Sequence, residues 1–248
     1  ILHLSAFYRI YYEQVNSTNA TANDVIAKSN PIAGTVITTY NQTNGSGQIG
    51  RSWFSGNGKN ISASLIVYPH FLRVDRQFYL SIAFALAIRK SISDTLNAPV
   101  YVKWPNDIYV ADKKIAGLLI QSALQGQKIK SAILGLGLNV NEESFDEKLP
   151  NPTSLRILTE KEWNLERVWS AIEINLRIYY NLLADRKFNL LHEEYEQMLY
   201  KRKDSMTLLL SSNAEYKGQI LGVNERGQLK FLHNGDLLLF NFHEVRFL

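Results

Sequence analysis

Between Asp75 and about Leu96, apolar residues fall on nearly every face a helix would present, Phe78, Leu80, Ile82, Phe84, Leu86 and Ile88 among them. A helix without a polar side must be covered all round by protein, so this segment predicts a core element. The unbroken apolar run inside it extends only from Ile82 to Ile88, whereas a bilayer span takes ~20 residues, so a membrane helix is excluded. The opening residues Ile1 to Ala6 lack the basic start and apolar stretch of a secretory signal, and a cytoplasmic protein is expected.

With 248 residues, one large domain, or one with a small appendage, is the expected division. Absence of cysteine excludes disulfides, thiolate metal sites and cysteine nucleophiles. The formal charge of +4, from 27 Lys and Arg against 23 Asp and Glu, is spread along the chain and does not indicate nucleic acid.

Ser17 is placed to cap a helix over Thr18 to Lys28 that Pro31 stops, and the β-branched run Thr35 to Tyr40 reads as a strand. Asn41 to Asn60 carries Gly45, Gly47, Gly50, Gly56 and Gly58 and reads as a long functional loop before a strand over Ile61 to Tyr68. Val100 to Lys103, Asp107 to Ala111, Ile115 to Leu124 and Ile129 to Val140 follow as antiparallel strands. Asn141 to Leu155 reads as a polar loop. Helices over about 165 to 183 and Phe188 to Arg202 are expected to cover one face of the sheet. From about Ser205, short β-type runs broken by turn residues predict a small barrel of about 45 residues. The boundaries are therefore 1–203 and 204–248.

Gly45, Gly47 and Gly50 spell a dinucleotide-type pattern, but no helix opens at the third glycine and the next acid is Asp75. A loop that closes over an anionic ligand fits better. In Lys103-Trp104-Pro105-Asn106-Asp107, Pro105 cannot join a sheet ladder, so the strand breaks there and is expected to turn Lys103, Asn106 and Asp107 toward one another. A cation, an amide and a carboxylate suit phosphate chemistry, and an ordinary turn with a surface ion pair is equally compatible with the composition. Lys114 follows, with Gly117 leaving room for a ligand. Gly135 and Gly137 strip one strand face, which can admit a flat ligand or permit close packing. The five histidines show no metal-ligand spacing.

Taken in order, Ser17-Thr18-Asn19, the stretch Gln42 to Trp53, Lys103 to Asp107, Lys114-Ile115-Ala116-Gly117 and Gly135 to Asn139 resemble the motifs of the biotin–protein ligases. The resemblance implies an α+β fold: a mixed sheet flanked by helices, like class II aminoacyl-tRNA synthetases, followed by an SH3-like β-barrel. It implies that biotin attacks the α-phosphorus of MgATP to give biotinyl-5′-AMP. A lysine of a biotin carboxyl carrier protein or apo-carboxylase domain then takes the biotinyl group.

Carboxylate attacking polyphosphate is anion meeting anion, so positive charge must offset the repulsion. The resemblance makes Lys114 the bridge between carboxylate and α-phosphate, with Arg51 and Lys103 adding charge and Asn106 holding Mg²⁺ or phosphate. Asp107 would orient or deprotonate the incoming amine. Ser17, Thr18, Asn19, Gln42, Gly45, Ser46, Gly47, Gln48, Lys114, Gly117 and Gly135 match biotin-binding positions, and Arg51, Trp53, Lys103, Asn106, Lys114 and Asn139 match ATP-binding ones. Trp53 is expected near the adenine.

Many relatives carry Gly-Arg-Gly-Arg where this chain has Ser46 and Gln48, which predicts weaker retention of biotinyl-AMP. Ser17-Thr18-Asn19 lies too near the start to leave room for the helix-turn-helix of bifunctional relatives, so no specific DNA binding is expected. The nearest rivals are a lipoate–protein ligase or octanoyltransferase of the same fold and, from another class, a non-catalytic RNA-binding module. The Lys-Trp-Pro-Asn-Asp string favours biotin.

Overall fold

The computed structural model describes residues 3–47, 52–53, 55 and 58–248. In chain order its first half comprises β1 (Tyr8–Tyr11), α1 (Thr18–Ser29), β2 (Thr35–Thr39), β3 (Gly45–Ser46), β4 (Ser52–Trp53), β5 (Ile61–Val67), α2 (Phe78–Leu96), β6 (Tyr101–Lys103), β7 (Asp107–Val110), β8 (Lys113–Gln125) and β9 (Lys128–Leu138). Then come α3 (Leu155–Thr159), α4 (Leu165–Ala184), α5 (Phe188–Gln197), β10 (Ser205–Leu210), β11 (Glu215–Val223), β12 (Leu229–His233), β13 (Asp236–Phe240) and β14 (Val245–Phe247).

A seven-stranded sheet of order β1-β2-β5-β9-β8-β7-β6 forms the centre. It is mixed, because β1 joins β2 in parallel while β2, β5, β9, β8, β7 and β6 pair antiparallel. Every residue of β5 is buried, since both faces are covered. Ile37, Ile66 and Ile133 meet Ala22 of α1, whereas Val36, Leu65 and Leu134 join the core built with α2 and α4. Covered faces explain why these strands are near-continuous apolar runs. As its composition requires, α2 lies in the core, buried almost throughout from Phe78 to Ile88.

Several sequence expectations need correction. The stretch from Asn41 to Asn60 is more than a loop, because Gly45 pairs with Trp53 and Ser46 with Ser52 as a short ribbon. The polar loop over 141–155 is less exposed than it reads, since Asn141, Glu142, Thr153 and Ser154 are buried and Ser154 caps α3 through the Ile157 amide. Helix α5 ends at Gln197 rather than Arg202, because Val102 donates to the Met198 carbonyl at 2.8 Å and Tyr200 donates to Val102 at 2.9 Å. That pairing covers the open edge of β6. Helix α5 packs on α2 and α4 rather than lying on the sheet.

The C-terminal strands form a separate antiparallel sheet of order β13-β12-β11-β10-β14 around buried Leu208, Ile220, Val223, Leu229 and Phe231. Its joint with α5 centres on Glu196, whose carboxylate lies 2.9 Å from Lys230, 3.4 Å from Arg202 and 3.4 Å from His192 and accepts from the Val223 amide at 3.1 Å. Among the described residues no helix is long and apolar enough to cross a membrane.

Candidate active site

The register of the central sheet sets Thr39, Ser62, Gly137, Gly117, Asp107 and Lys103 side by side in one row across its strands. Neighbours in such a row share a face, so two adjacent glycines open a furrow in the middle of it. The Trp53 indole lies in that furrow. A Cβ on Gly137 would come within 2.2 Å of Trp53 Cε2, and one on Gly117 within 3.0 Å of Cζ3, so no other residue fits unless the ring moves.

At one end of the furrow the Asp107 carboxylate meets the Lys114 ammonium at 2.7 Å. The Lys114 ammonium also lies 5.5 Å from the centre of the Trp53 ring, within cation–π range. Backbone bonds on both sides fix this lysine, its amide donating to Asn151 at 2.7 Å and its carbonyl accepting from Thr153 at 2.8 Å. Asn139 is buried and donates to the Thr153 carbonyl at 3.0 Å, which braces the segment that holds Lys114.

The expected convergence of Lys103, Asn106 and Asp107 is realised only in part. Lys103 stands opposite Asp107 in register, but its ammonium lies against the Tyr109 hydroxyl at 3.2 Å and over the rings of Tyr109, Phe247 and Tyr200 at 4.6, 5.1 and 5.8 Å. Asn106 turns back onto β8, its amide donating to the Leu118 carbonyl at 2.6 Å while its own carbonyl accepts from the Leu118 amide at 2.9 Å. A short turn between hydrogen-bonded strands sends its middle residues onto the neighbouring strand, and the ion pair of Asp107 forms with Lys114.

Beside the furrow, α1 builds a polar pocket. The Ser64 hydroxyl lies 2.6 Å from Asn19 Oδ1, to which it donates, and 2.8 Å from Thr18 Oγ1. Asn19 Nδ2 donates to the Leu119 carbonyl at 3.3 Å and to Gln121 Oε1 at 3.2 Å. A Cβ on Gly135 would stand 2.3 Å from Asn19 Oδ1, so this glycine makes room for the asparagine. Ser17 does not cap α1 with its hydroxyl. The first amide of the helix, that of Thr18, is instead taken at 2.8 Å by Oε1 of Gln42, and Gly45 packs close to the same glutamine. Gly47 is half-buried. Gln48 and Arg51 lie outside the described residues, and Ser46 is placed only by its backbone in β3.

The sequence reading passed over Ser62, Ser64, Tyr109 and Thr153. A usable signal existed for the serines, since hydroxyls at alternate positions of an otherwise apolar, doubly covered strand need partners on one face. No comparable signal marks Thr153, which reaches Lys114 only through the fold. For Mg²⁺, the described residues contain no group of three or more His, Cys, Asp or Glu able to hold an ion; Asn106 spends its Nδ2 on the Leu118 carbonyl, and its Oδ1 is the atom that would meet a metal. These side chains do not build a metal cage, and nucleotide-bound Mg²⁺ takes most of its ligands from phosphate and water.

A mixed sheet with an ion pair beside a glycine furrow and a helix-backed polar pocket is the frame of a small-molecule transfer enzyme. Residues 11–139 match the Biotin/lipoate A/B protein ligase family, and the chain belongs to that family. It is 29% identical over 226 residues to the bifunctional ligase/repressor BirA of Bacillus spizizenii, covering 89% of this chain and 68% of that protein. It is 33% identical over 170 residues to the biotin–[acetyl-CoA-carboxylase] ligase of Mycobacterium tuberculosis, covering 66% of this chain and 62% of that one. The fold is similar to that of the Aquifex aeolicus biotin protein ligase in complex with biotin and ATP, with a TM-score of 0.81 and 23% identity over 97% of this chain and 98% of that one.

Proposed function

We propose that this chain is a biotin–protein ligase. It uses ATP to activate biotin as biotinyl-5′-AMP, releasing pyrophosphate, and then forms a carbon–nitrogen bond between biotin and a lysine of a biotin carboxyl carrier protein or apo-carboxylase domain, releasing AMP. The observation that carries this reading is the Asp107–Lys114 pair, held at 2.7 Å beside a furrow floored by Gly117 and Gly137 in a chain of this family.

In the first step two anions must meet, and Lys114 supplies the charge that lets the biotin carboxylate approach the α-phosphate. The backbone of this lysine is held on both sides and its ammonium rests against Asp107, so the charge starts from a defined place, which is what positioning contributes to an in-line attack. Lys103 and Arg51 add positive charge on the nucleotide side, and Asn106 and Asn139 complete that side together with Trp53. Mg²⁺ bound to the nucleotide's phosphates would offset their charge, with Asn106 as the side chain that would contact it. In the second step an ammonium must lose a proton before it can attack, and Asp107 accepts that proton as the amine adds to the activated carbonyl and AMP leaves. Biotin takes the pocket of Ser17, Thr18, Asn19, Gln42 and Gly135, continued by Gly45 to Gln48. Polar side chains there offer the donors and acceptors that a ureido group needs.

The division into a catalytic unit, 1–203, and a C-terminal unit of SH3-like form, 204–248, belongs to the same reading. Supporting it are the separate five-stranded antiparallel sheet that begins at Ser205 and the register shift between Ile220 and Gly222, the kind of irregularity that bends a sheet.

Incubation with biotin, ATP and labelled pyrophosphate tests the function. Biotin-dependent exchange of label into ATP is expected. Absence of exchange rejects the reading, and exchange with lipoate alone moves the chain to the lipoate branch of the family.

A further inference from the structure

We propose that the Ser62 hydroxyl is a nucleotide-binding group, which acts with the indole N–H of Trp53 on one acceptor atom of the adenylyl donor. This assignment deepens the ligase reading and rests on it.

Ser62 stands between Thr39 and Gly137 in the row that forms the furrow, two residues from Ser64 on the same strand, so both serines face the same way. Ser64 is spent on Thr18 and Asn19, in the pocket assigned to biotin. Ser62 lies one step along the strand, beside the glycine that the Trp53 ring covers. There Trp53 Nε1 comes within 2.4 Å of the point a Gly137 Cβ would occupy, and neighbouring strands are ~4.8 Å apart, so the indole N–H and the Ser62 hydroxyl are neighbours.

Ser62 is 1% exposed, yet its Oγ has no hydrogen-bond partner among the described residues, and the same is true of Trp53 Nε1. Surrounding hydroxyls behave differently: Thr38 donates to the Ser62 carbonyl at 3.3 Å, Thr39 to the Glu13 carbonyl at 3.2 Å, and Ser64 is paired as described. A buried polar group left unpaired destabilises the fold, so two neighbouring ones at a ligand furrow point to a role in binding. Both can donate, and a ribose or phosphate oxygen of the adenylyl donor, which has more than one lone pair, accepts from two donors. Biotin is already provided for on the other side of Ser64.

Ser62→Ala separates this role from a structural one because the two predict opposite signs. Removing an unpaired buried hydroxyl leaves the melting temperature of the ligand-free protein unchanged or raises it. If the hydroxyl binds nucleotide, the KM for ATP in the biotin-dependent exchange assay rises roughly fivefold to tenfold while the KM for biotin stays put. An unchanged KM for ATP overturns the proposal, as does a rise confined to biotin. A fall in melting temperature also counts against it, since the hydroxyl would then be serving the fold. Wild-type protein without biotin-dependent exchange would reject the ligase reading itself, a result distinct from an active wild type matched by its variant.

Discussion

Trp104 donates its indole N–H to the carbonyl of Gly227 at 2.8 Å, and its ring lies 5.3 Å from that of Phe242. The tryptophan of the Lys-Trp-Pro-Asn-Asp motif therefore serves the joint between the two sheets, fastening the hairpin that carries Lys103 and Asp107. Trp104→Phe keeps an aromatic ring there and removes the donor, leaving a buried carbonyl unpaired. Chemical denaturation should register a loss of about 1–3 kcal/mol. The ligase reading adds a slower transfer of preformed biotinyl-AMP to a carrier domain, because Asp107 loses its support.

Lys114 and Asp107 should separate the two chemical steps. Lys114→Ala is expected to abolish pyrophosphate exchange while leaving circular dichroism unchanged, since the side chain is partly exposed and its backbone bonds survive. Asp107→Asn should still support exchange but slow transfer of preformed biotinyl-AMP to a carrier domain by ~10²-fold or more, the scale of a lost proton acceptor. Unchanged exchange in the Lys114 variant would remove the central assignment.

The furrow glycines are open to the same treatment. Gly137→Ala drives a methyl group to within 2.2 Å of Trp53, and Gly135→Ala one to within 2.3 Å of Asn19. Overpacking of this kind destabilises by roughly 1–3 kcal/mol. The two variants should differ in ligand response, Gly137→Ala weakening ATP and shifting tryptophan fluorescence, Gly135→Ala weakening biotin. Titrations of each ligand against both proteins decide it.

Acid should loosen the joint at Glu196. Burial pushes its carboxyl up, but the hydrogen bond and charge of Lys230, the Val223 amide and the charge of His192 outweigh that and hold it below the usual glutamate range. On acidification the unfolded chain takes up this proton first. The stabilisation is thus complete above the ordinary value of ~4.3 and is lost as pH falls through the lower folded value. Melting temperatures of Glu196→Gln, already lower at neutral pH, should fall less steeply than wild type between pH ~5 and ~3. Parallel curves would refute the assignment.

Much of the fold was legible because its signals are local. The apolar helix, the β-branched strands and the turn residues after Ser205 depend on neighbours in sequence, and they appear where those neighbours put them. The site was legible as a set of residues but less so as a set of contacts. Nothing near Asp107 in sequence says that its partner is Lys114 rather than Lys103, since the answer lies in how β7 pairs with β8. Likewise the cap of α1 comes from Gln42, a residue that meets Thr18 only after β2 has been laid beside β1. Ser17, the obvious candidate by position, was the wrong one for that reason.

The doubly covered strand β5 has a consequence for how the chain is made. Ile61–Val67 leaves the ribosome long before Lys128, where the strand that flanks it on the inner side begins. Until then only β2 can shield its backbone, and an apolar, doubly sided segment waits with one edge open. Synthesis of this protein should therefore lean on chaperones during that interval, and the long β8–β9 hairpin is the piece whose arrival ends the exposure.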